Sequence, residues 1–174
     1  YFNTWNRNKL SITLDLSRPQ GRKLARKLVG ISDVVLENFT PRVMFNWGLD
    51  YDHLKNVRPD LIMVSLCGMG QTGPWRNFAA FGATIQALSG ITYLTAYTPD
   101  QPIGLGYAHA DHAAGLVAAL AVLAALEYRD RTGDGQYIDI AEYEAMCTLL
   151  GPAIMDYTVN HNLARPQGNC PDYV

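Results

Sequence analysis

This sequence is short of charge. Asp, Glu, Lys and Arg together make up 17% of its 174 residues, against roughly 25% in an average soluble domain. A chain so lean in charge is expected to bury much of its surface against itself or a partner. Its 14 basic and 16 acidic residues leave a net charge of −2, which excludes a generic polyanion binder, and no nucleic-acid partner is expected. Cysteine is sparse as well. Cys67, Cys147 and Cys170 lie far apart with no C-x-x-C pair, so neither a disulfide framework nor a zinc site is expected. Cys67 and Cys147 sit in apolar runs and read as small buried hydrophobes. The opening residues do not read as a signal peptide. The longest near-continuous apolar run, Ala113 to Leu126, falls short of the roughly 20 residues that span a bilayer. It reads as a buried helix of a soluble, cytoplasmic protein without a membrane partner. An initiating Met is missing too: a start at Tyr1-Phe2-Asn3 and an end at Val174 read as a segment of a longer protein. What the chain does have is apolar mass. With 48% hydrophobic residues, disorder is excluded, and one domain, or a large piece of one, is the expectation.

The pattern along the chain alternates strands and helices. Lys9 to Leu16 alternates apolar and polar residues and predicts a strand. Ser17-Arg-Pro-Gln20 reads as a capping box opening a helix that carries Leu24, Leu28 and Ile31 at helical spacing. Val34 to Phe39 and Leu61 to Leu66 predict two buried strands, with Thr40-Pro41 opening a short helix between them. A glycine-rich loop, Gly68 to Pro74, comes next, followed by a mostly helical stretch from Phe78 to Ala96 that breaks at Ser89-Gly90. A long helix is predicted from Asp111 to Arg129, a short strand over Gln136–Ile140, and a last helix from Ala141 to about Asn160. Strands alternating with helices predict an α/β fold with a parallel sheet.

Few residues offer chemistry. The glycine loop lacks the Lys-Ser/Thr of a phosphate-binding P-loop and the G-x-G-x-x-G spacing, so it reads as a structural or lid loop. Asn6-Arg-Asn-Lys9 alone reads as a solvated edge. His109-Ala-Asp111-His112 places three polar, ionisable groups at the start of the apolar helix. Asp111 has two readings there. One is a helix N-cap; the other is a covalent nucleophile, because the positive end of a helix dipole favours an ionised carboxylate. No metal is expected, since H-x-D-H lacks the i, i+4 spacing of zinc-binding helices.

These pieces, taken in order, resemble the family III CoA-transferases, the CaiB/BaiF group. The matching segments are Asn6-Arg-Asn-Lys9, Ser11 to Leu16, Pro19-x-Gly21, Asp33 to Pro41 and Trp47-Gly-Leu-Asp50. They continue through Arg58 to Ile62, Gly68 to Pro74, Gln86 to Gly90, Ala110-Asp111-x-x-Ala-Gly115 and Ala124 to Gln136. The resemblance implies a Rossmann-like parallel sheet with flanking helices and two interlocked protomers in the full-length homodimer. Residues 1–145 would be the central part of the large CoA-binding domain, and 146–174 a helix and the start of a linker to a smaller domain. The family's first βα units, its smaller domain and its later glycine-rich loop would lie outside this chain, so the segment alone is expected to be inactive.

The same resemblance implies an acyl-CoA:carboxylate CoA-transferase with Asp111 as nucleophile, acting through anhydride and aspartyl-CoA thioester intermediates. Acyl-CoA and a carboxylic acid are its substrates, with no permanently bound cofactor. The CoA-contacting positions carry over to Leu14, Asp15, Leu16 and Ser17 and to Asn38, Phe39 and Thr40, at strand ends. Asn46 stands where the formyl-CoA transferases have an arginine, and Ala79 or Ala80 where they have a lysine, which argues against a formyl or oxalyl substrate. Arg42 and Arg76 are nearby substitutes. The 2-methylacyl-CoA racemases of the same superfamily pair the aspartate with a histidine, but Ala80-Phe81-Gly82 offers none. A non-catalytic CoA-binding fragment is the third reading.

Overall fold

The computed structural model describes residues 2–169, so Cys170 lies outside the described residues. The elements in chain order are α1 (Phe2–Trp5), α2 (Pro19–Val29), β1 (Val34–Glu37), α3 (Val43–Trp47), α4 (Tyr51–Leu54) and β2 (Ile62–Cys67). They continue with α5 (Gly82–Ser89), α6 (Ile91–Leu94), α7 (His109–Thr132), β3 (Gln136–Ala141), α8 (Glu142–Thr148) and α9 (Gly151–Asn160). The three strands form one parallel sheet in the order β1-β2-β3, with Val34 opposite Ile62 and Ile62 opposite Gln136. This is the α/β arrangement that the alternation of strands and helices predicts.

β2 is central and buried at all six positions. Its alternate side chains point to opposite faces. Val64 and Leu66 pack with Ala114 and Ala118 of α7, Ile140 of β3 and Ala145 of α8. Met63, facing the other way, packs with Val29, Leu49, Leu54 and Leu61 beneath α2, α3 and α4. A sheet covered on both faces explains why β2 is apolar throughout rather than alternating.

Several expectations are corrected. Lys9 to Leu16 is not a strand: it is irregular backbone with no strand partner among the described residues, and Leu10 and Ile12 are exposed. Its alternation meets the local requirement for a strand, but no neighbour offers it a hydrogen-bonding edge. The capping box does not form. α2 begins at Pro19 with Arg18 as N-cap and no side-chain cap bond, because the Ser17 hydroxyl donates to Asp15 Oδ1 at 2.5 Å instead. Thr40 does not cap α3, whose N-cap is Arg42 in the left-handed region at φ 77°. The stretch from Phe78 becomes helical only at Gly82, although it breaks as expected at Gly90, with φ 91°. The last helix splits into α8 and α9 at Leu149-Leu150, just before Gly151-Pro152. Pro152 donates no N–H to the turn behind it, and proline is readily accepted in the first turn of a new helix.

The long helix is the largest correction. α7 is not a buried helix. Ala110, Ala114, Ala118 and Ala125 form its buried stripe, while Leu116, Leu120 and Leu123 are 75%, 70% and 65% exposed. Small side chains let the helix lie close on the sheet, and the leucines point away from it. By length and composition α7 is apolar enough to cross a membrane, but its alanine stripe is part of the α/β core.

Candidate active site

All three strands end on the same side, and the chain leaves each of them into one cleft. Asn38 and Thr40 follow β1, Cys67 ends β2 and leads into Gly68, and Glu142 follows β3; all line a cavity of about 270 Å³. Ligands of open parallel sheets bind outside the carboxyl ends of the strands. Across the cavity lie Arg76, Phe81, Gly82 and Asp111.

Three helices begin here. Gly82 is the first residue of α5, Asp111 lies in the first turn of α7, and Glu142 is the first residue of α8. The three helices pack against one another around Ile85, Ala110 and Met146. Each helix N-terminus is the positive end of a dipole, so the cleft suits developing negative charge.

Asp111 is the third residue of α7, whose N-cap is Ala108, and it makes no capping bond. The N-cap reading of Asp111 is therefore overturned. Its carboxylate is exposed at the cleft and accepts no hydrogen bond from a described residue. It rests against Gly82, where an added β-carbon would overlap Asp111 Oδ2. The neighbouring histidines are engaged elsewhere. The Nδ1 of His112 bonds the Ala108 carbonyl at 2.5 Å, and its ring packs on Trp5 at 4.6 Å. His109 Nδ1 pairs with the Tyr107 hydroxyl. Among the described residues no cluster of His, Cys, Asp and Glu is disposed to hold a metal.

The other residues singled out by sequence fall into two groups. Asn38 and Thr40 share the cleft with Asp111. Phe39 donates its backbone N–H to Glu37 Oε2 at 2.7 Å and packs its ring edge-on to Trp47 at 5.4 Å. Leu14, Asp15, Leu16 and Ser17 are not among the residues lining that cleft, and they do not lie at a strand end. They lead into a turn, closed by the Arg18 N–H on the Asp15 carbonyl at 3.2 Å, that folds back on the start of α2. Arg22 donates to the carbonyls of Leu16 and Ser17 at 3.1 and 2.9 Å, and a β-carbon on Gly21 would overlap the Asp15 carbonyl. The glycine loop is tethered rather than free: Asp139 of β3 accepts from the Gln71 N–H at 2.9 Å and the Thr72 hydroxyl at 3.3 Å. Cys67 is buried as expected, and burial pushes its thiol up to about 11, which makes it a poor nucleophile. Cys147 is half-buried.

Two residues escaped the sequence reading. Gly82 was visible only as the place where a racemase histidine is absent. Glu142 looked like an ordinary first residue of a helix, yet it is only 9% exposed. Burial, and next the charge of Asp111, push its carboxyl up to about 7. An acid that directly follows a parallel strand at its carboxyl end is the signal that points to it.

Comparison with known proteins identifies the family. The family described as CoA-transferase family III matches residues 1–173. The chain is 40% identical over 163 residues to the succinyl-CoA–D-citramalate CoA-transferase of Chloroflexus aurantiacus, covering 94% of this chain and 40% of that protein. It is 39% identical over 160 residues to the succinate–glutarate CoA-transferase of Agrobacterium fabrum, covering 92% of this chain and 40% of that protein. A crystal structure of a CaiB/BaiF family protein from Brucella suis superimposes with a TM-score of 0.91 at 40% identity, over 94% of this chain and 43% of that one. The chain spans about two-fifths of the length of the curated relatives it matches. It belongs to the CoA-transferase family III.

Proposed function

We propose that the enzyme containing this chain transfers CoA from an acyl-CoA to a carboxylic acid, with Asp111 as the covalent nucleophile. The observation that carries this reading is the Asp111 carboxylate itself. It is exposed and free of hydrogen bonds from described residues, and it is held against Gly82 where three helices begin. A carboxylate so placed attacks the thioester carbonyl, the C–S bond breaks, and an aspartyl-acyl anhydride and CoA form. The CoA sulfur then attacks the Asp111 carbonyl, giving an aspartyl-CoA thioester and releasing the donor acid. The acceptor carboxylate displaces the sulfur to form a second anhydride. Sulfur attack on the acceptor's carbonyl releases the new acyl-CoA and restores Asp111. The helix N-termini supply the positive field in which each oxyanion develops.

CoA is a substrate in this scheme, not a resident cofactor. Asn38 and Thr40 border the reacting end of CoA, with Phe39 behind them. Leu14 to Ser17 contact a more distant part of the molecule, which is why they lie off the cleft. The relatives named above use succinyl or glutaryl groups by their names, and Arg76 is the cation among the described residues lining the cleft. That charge suits the distal carboxylate of a dicarboxylic acyl group. The exposed leucines of α7 are the surface that the rest of the enzyme or a second protomer of a homodimer covers.

The test uses the full-length enzyme with succinyl-CoA and hydroxylamine. Mass spectrometry should locate a hydroxamate on Asp111, and D111N should abolish turnover. An unmodified Asp111 in an active enzyme removes the nucleophile assignment. Epimerisation of a 2-methylacyl-CoA without transfer would instead favour the racemase reading.

A further inference from the structure

Glu142 has no part in the scheme above, yet it stands beside the proposed nucleophile. Its side chain is more than nine-tenths buried, and it lines the same cleft as Asp111. No described residue hydrogen-bonds its carboxyl group. Among the described residues no buried side-chain oxygen lacks a partner, so the carboxyl end of this otherwise buried residue opens onto the cleft, where a substrate can reach it.

We infer that Glu142 is a second catalytic residue, one that donates its carboxyl proton to the CoA sulfur as each C–S bond breaks and takes it back as the sulfur attacks again. This rests on the reading of Asp111 as nucleophile. The protons balance over a cycle. When Asp111 attacks the acyl-CoA, the departing sulfur takes the Glu142 proton and CoA is held as the thiol. When the sulfur attacks the Asp111 carbonyl, Glu142 accepts the S–H proton and the donor carboxylate leaves. The second half repeats this with the acceptor: one donation as its carboxylate displaces the sulfur, one return as the sulfur attacks the new anhydride. Glu142 ends protonated and Asp111 ends as a carboxylate.

The pairing favours the first donation and the last return of the proton. In the resting site the Asp111 charge helps keep Glu142 protonated, after burial, at about 7. A free thiol titrates near 8.5, so transfer from Glu142 to a departing thiolate runs downhill. Once Asp111 is tied up in an anhydride its charge is gone, and Glu142 holds a negative charge more easily. When the Asp111 carboxylate reappears in the last step, Glu142 is driven to recover its proton. The groups facing Glu142 are consistent with this. α7 presents Asp111, β2 presents the Cys67 thiol, β3 turns Asp139 to the Gln71 N–H and the Thr72 hydroxyl, Arg76 lies across the cleft, and α5 presents no titratable side chain. On its own helix the nearest are Tyr143 and Glu144.

The experiment compares full-length wild type, E142Q and D111N. Glutamine keeps the size and hydrogen-bonding capacity of a protonated glutamate but cannot give up a proton. General acid–base catalysis is typically worth 10²–10⁴-fold, so E142Q should lose about 100-fold or more in kcat while melting cooperatively. Wild-type kcat/KM should fall about tenfold per pH unit above pH ~7, and this limb should vanish in E142Q. E142Q with wild-type kcat and an unchanged pH profile overturns the proposal. Should E142Q not fold, the wild-type profile decides: the falling limb upholds the proposal, and a flat kcat/KM from about pH 6 to 9 overturns it. Failure of the underlying reading looks different, because then no Asp111 adduct forms in the wild type under hydroxylamine.

Discussion

Asp111 Oδ2 occupies the space in which a β-carbon on Gly82 would sit. Residues from two helices thus meet with no room between the carboxylate and the backbone. A side chain at Gly82 would displace the one group proposed to attack the substrate.

G82A tests that relationship without threatening the fold. Alanine is a better helix former than glycine, and Gly82 opens α5. The overlap falls on the far end of a flexible side chain, so Asp111 can turn aside at little cost in stability. The melting temperature should stay within a few degrees of wild type. A displacement of about 1 Å at a reacting group costs on the order of 100-fold, so kcat should fall by that order. A G82A enzyme with normal kcat would show that the position of Asp111 against α5 does not matter.

What could be read from sequence depended on whether the cause was local. β2 was legible because a strand covered on both faces needs apolar residues throughout, and Leu61 to Leu66 supplies them. Gly90 was legible because its left-handed backbone ends α5. Lys9 to Leu16 failed because alternation says nothing about whether a partner edge is present. Asp111 was found through a sequence pattern, but its place in the third position of α7 depends on where Tyr107 and Ala108 turn. Glu142 was missed because its burial comes from α5 and α7, which lie far from it in sequence.

Arg76 is proposed to recognise a distal carboxylate, and R76M should separate substrates by charge. With succinyl-CoA as donor, KM should rise about tenfold or more, the worth of roughly 1.4 kcal/mol. With propionyl-CoA, which has no distal charge, KM should change little. Equal losses for both donors would mean that Arg76 contacts CoA itself or supports the loop.

The end of the sheet opposite the cleft is fixed by an ion network. Arg129, 12% exposed, reaches Asp33 Oδ1 at 3.1 Å and the Asp33 carbonyl at 3.2 Å. Arg58 bonds Asp33 Oδ1 at 2.9 Å, Asp60 Oδ1 at 3.0 Å and the Ser32 carbonyl at 2.6 Å. Together they join the last turns of α7 to the starts of β1 and β2. R129M removes the donor while keeping much of the stem. It should cost about 1–3 kcal/mol, seen as a lower urea midpoint, with kcat of the folded enzyme unchanged. A loss of kcat at full stability would mean that this end of α7 communicates with the cleft.

Glu142 also leaves a signature in stability. Its folded value of about 7 lies above the ordinary 4.5, so the folded state keeps a proton that the unfolded chain has released. Below pH ~4.5 both states are protonated and the residue is neutral to stability. Between about 4.5 and 7 folding becomes less favourable as pH rises, and above 7 the deficit is constant. Its full size is on the order of 3 kcal/mol. E142Q carries no such group, so its melting temperature should match wild type near pH 4.5 and exceed it by several degrees at pH 8. Burial is the larger cause and Asp111 the smaller, so D111N should shrink this gap without closing it. A gap that is independent of pH, or a wild type more stable than E142Q at pH 8, would mean that Glu142 is ionised in the folded protein and holds no proton to give.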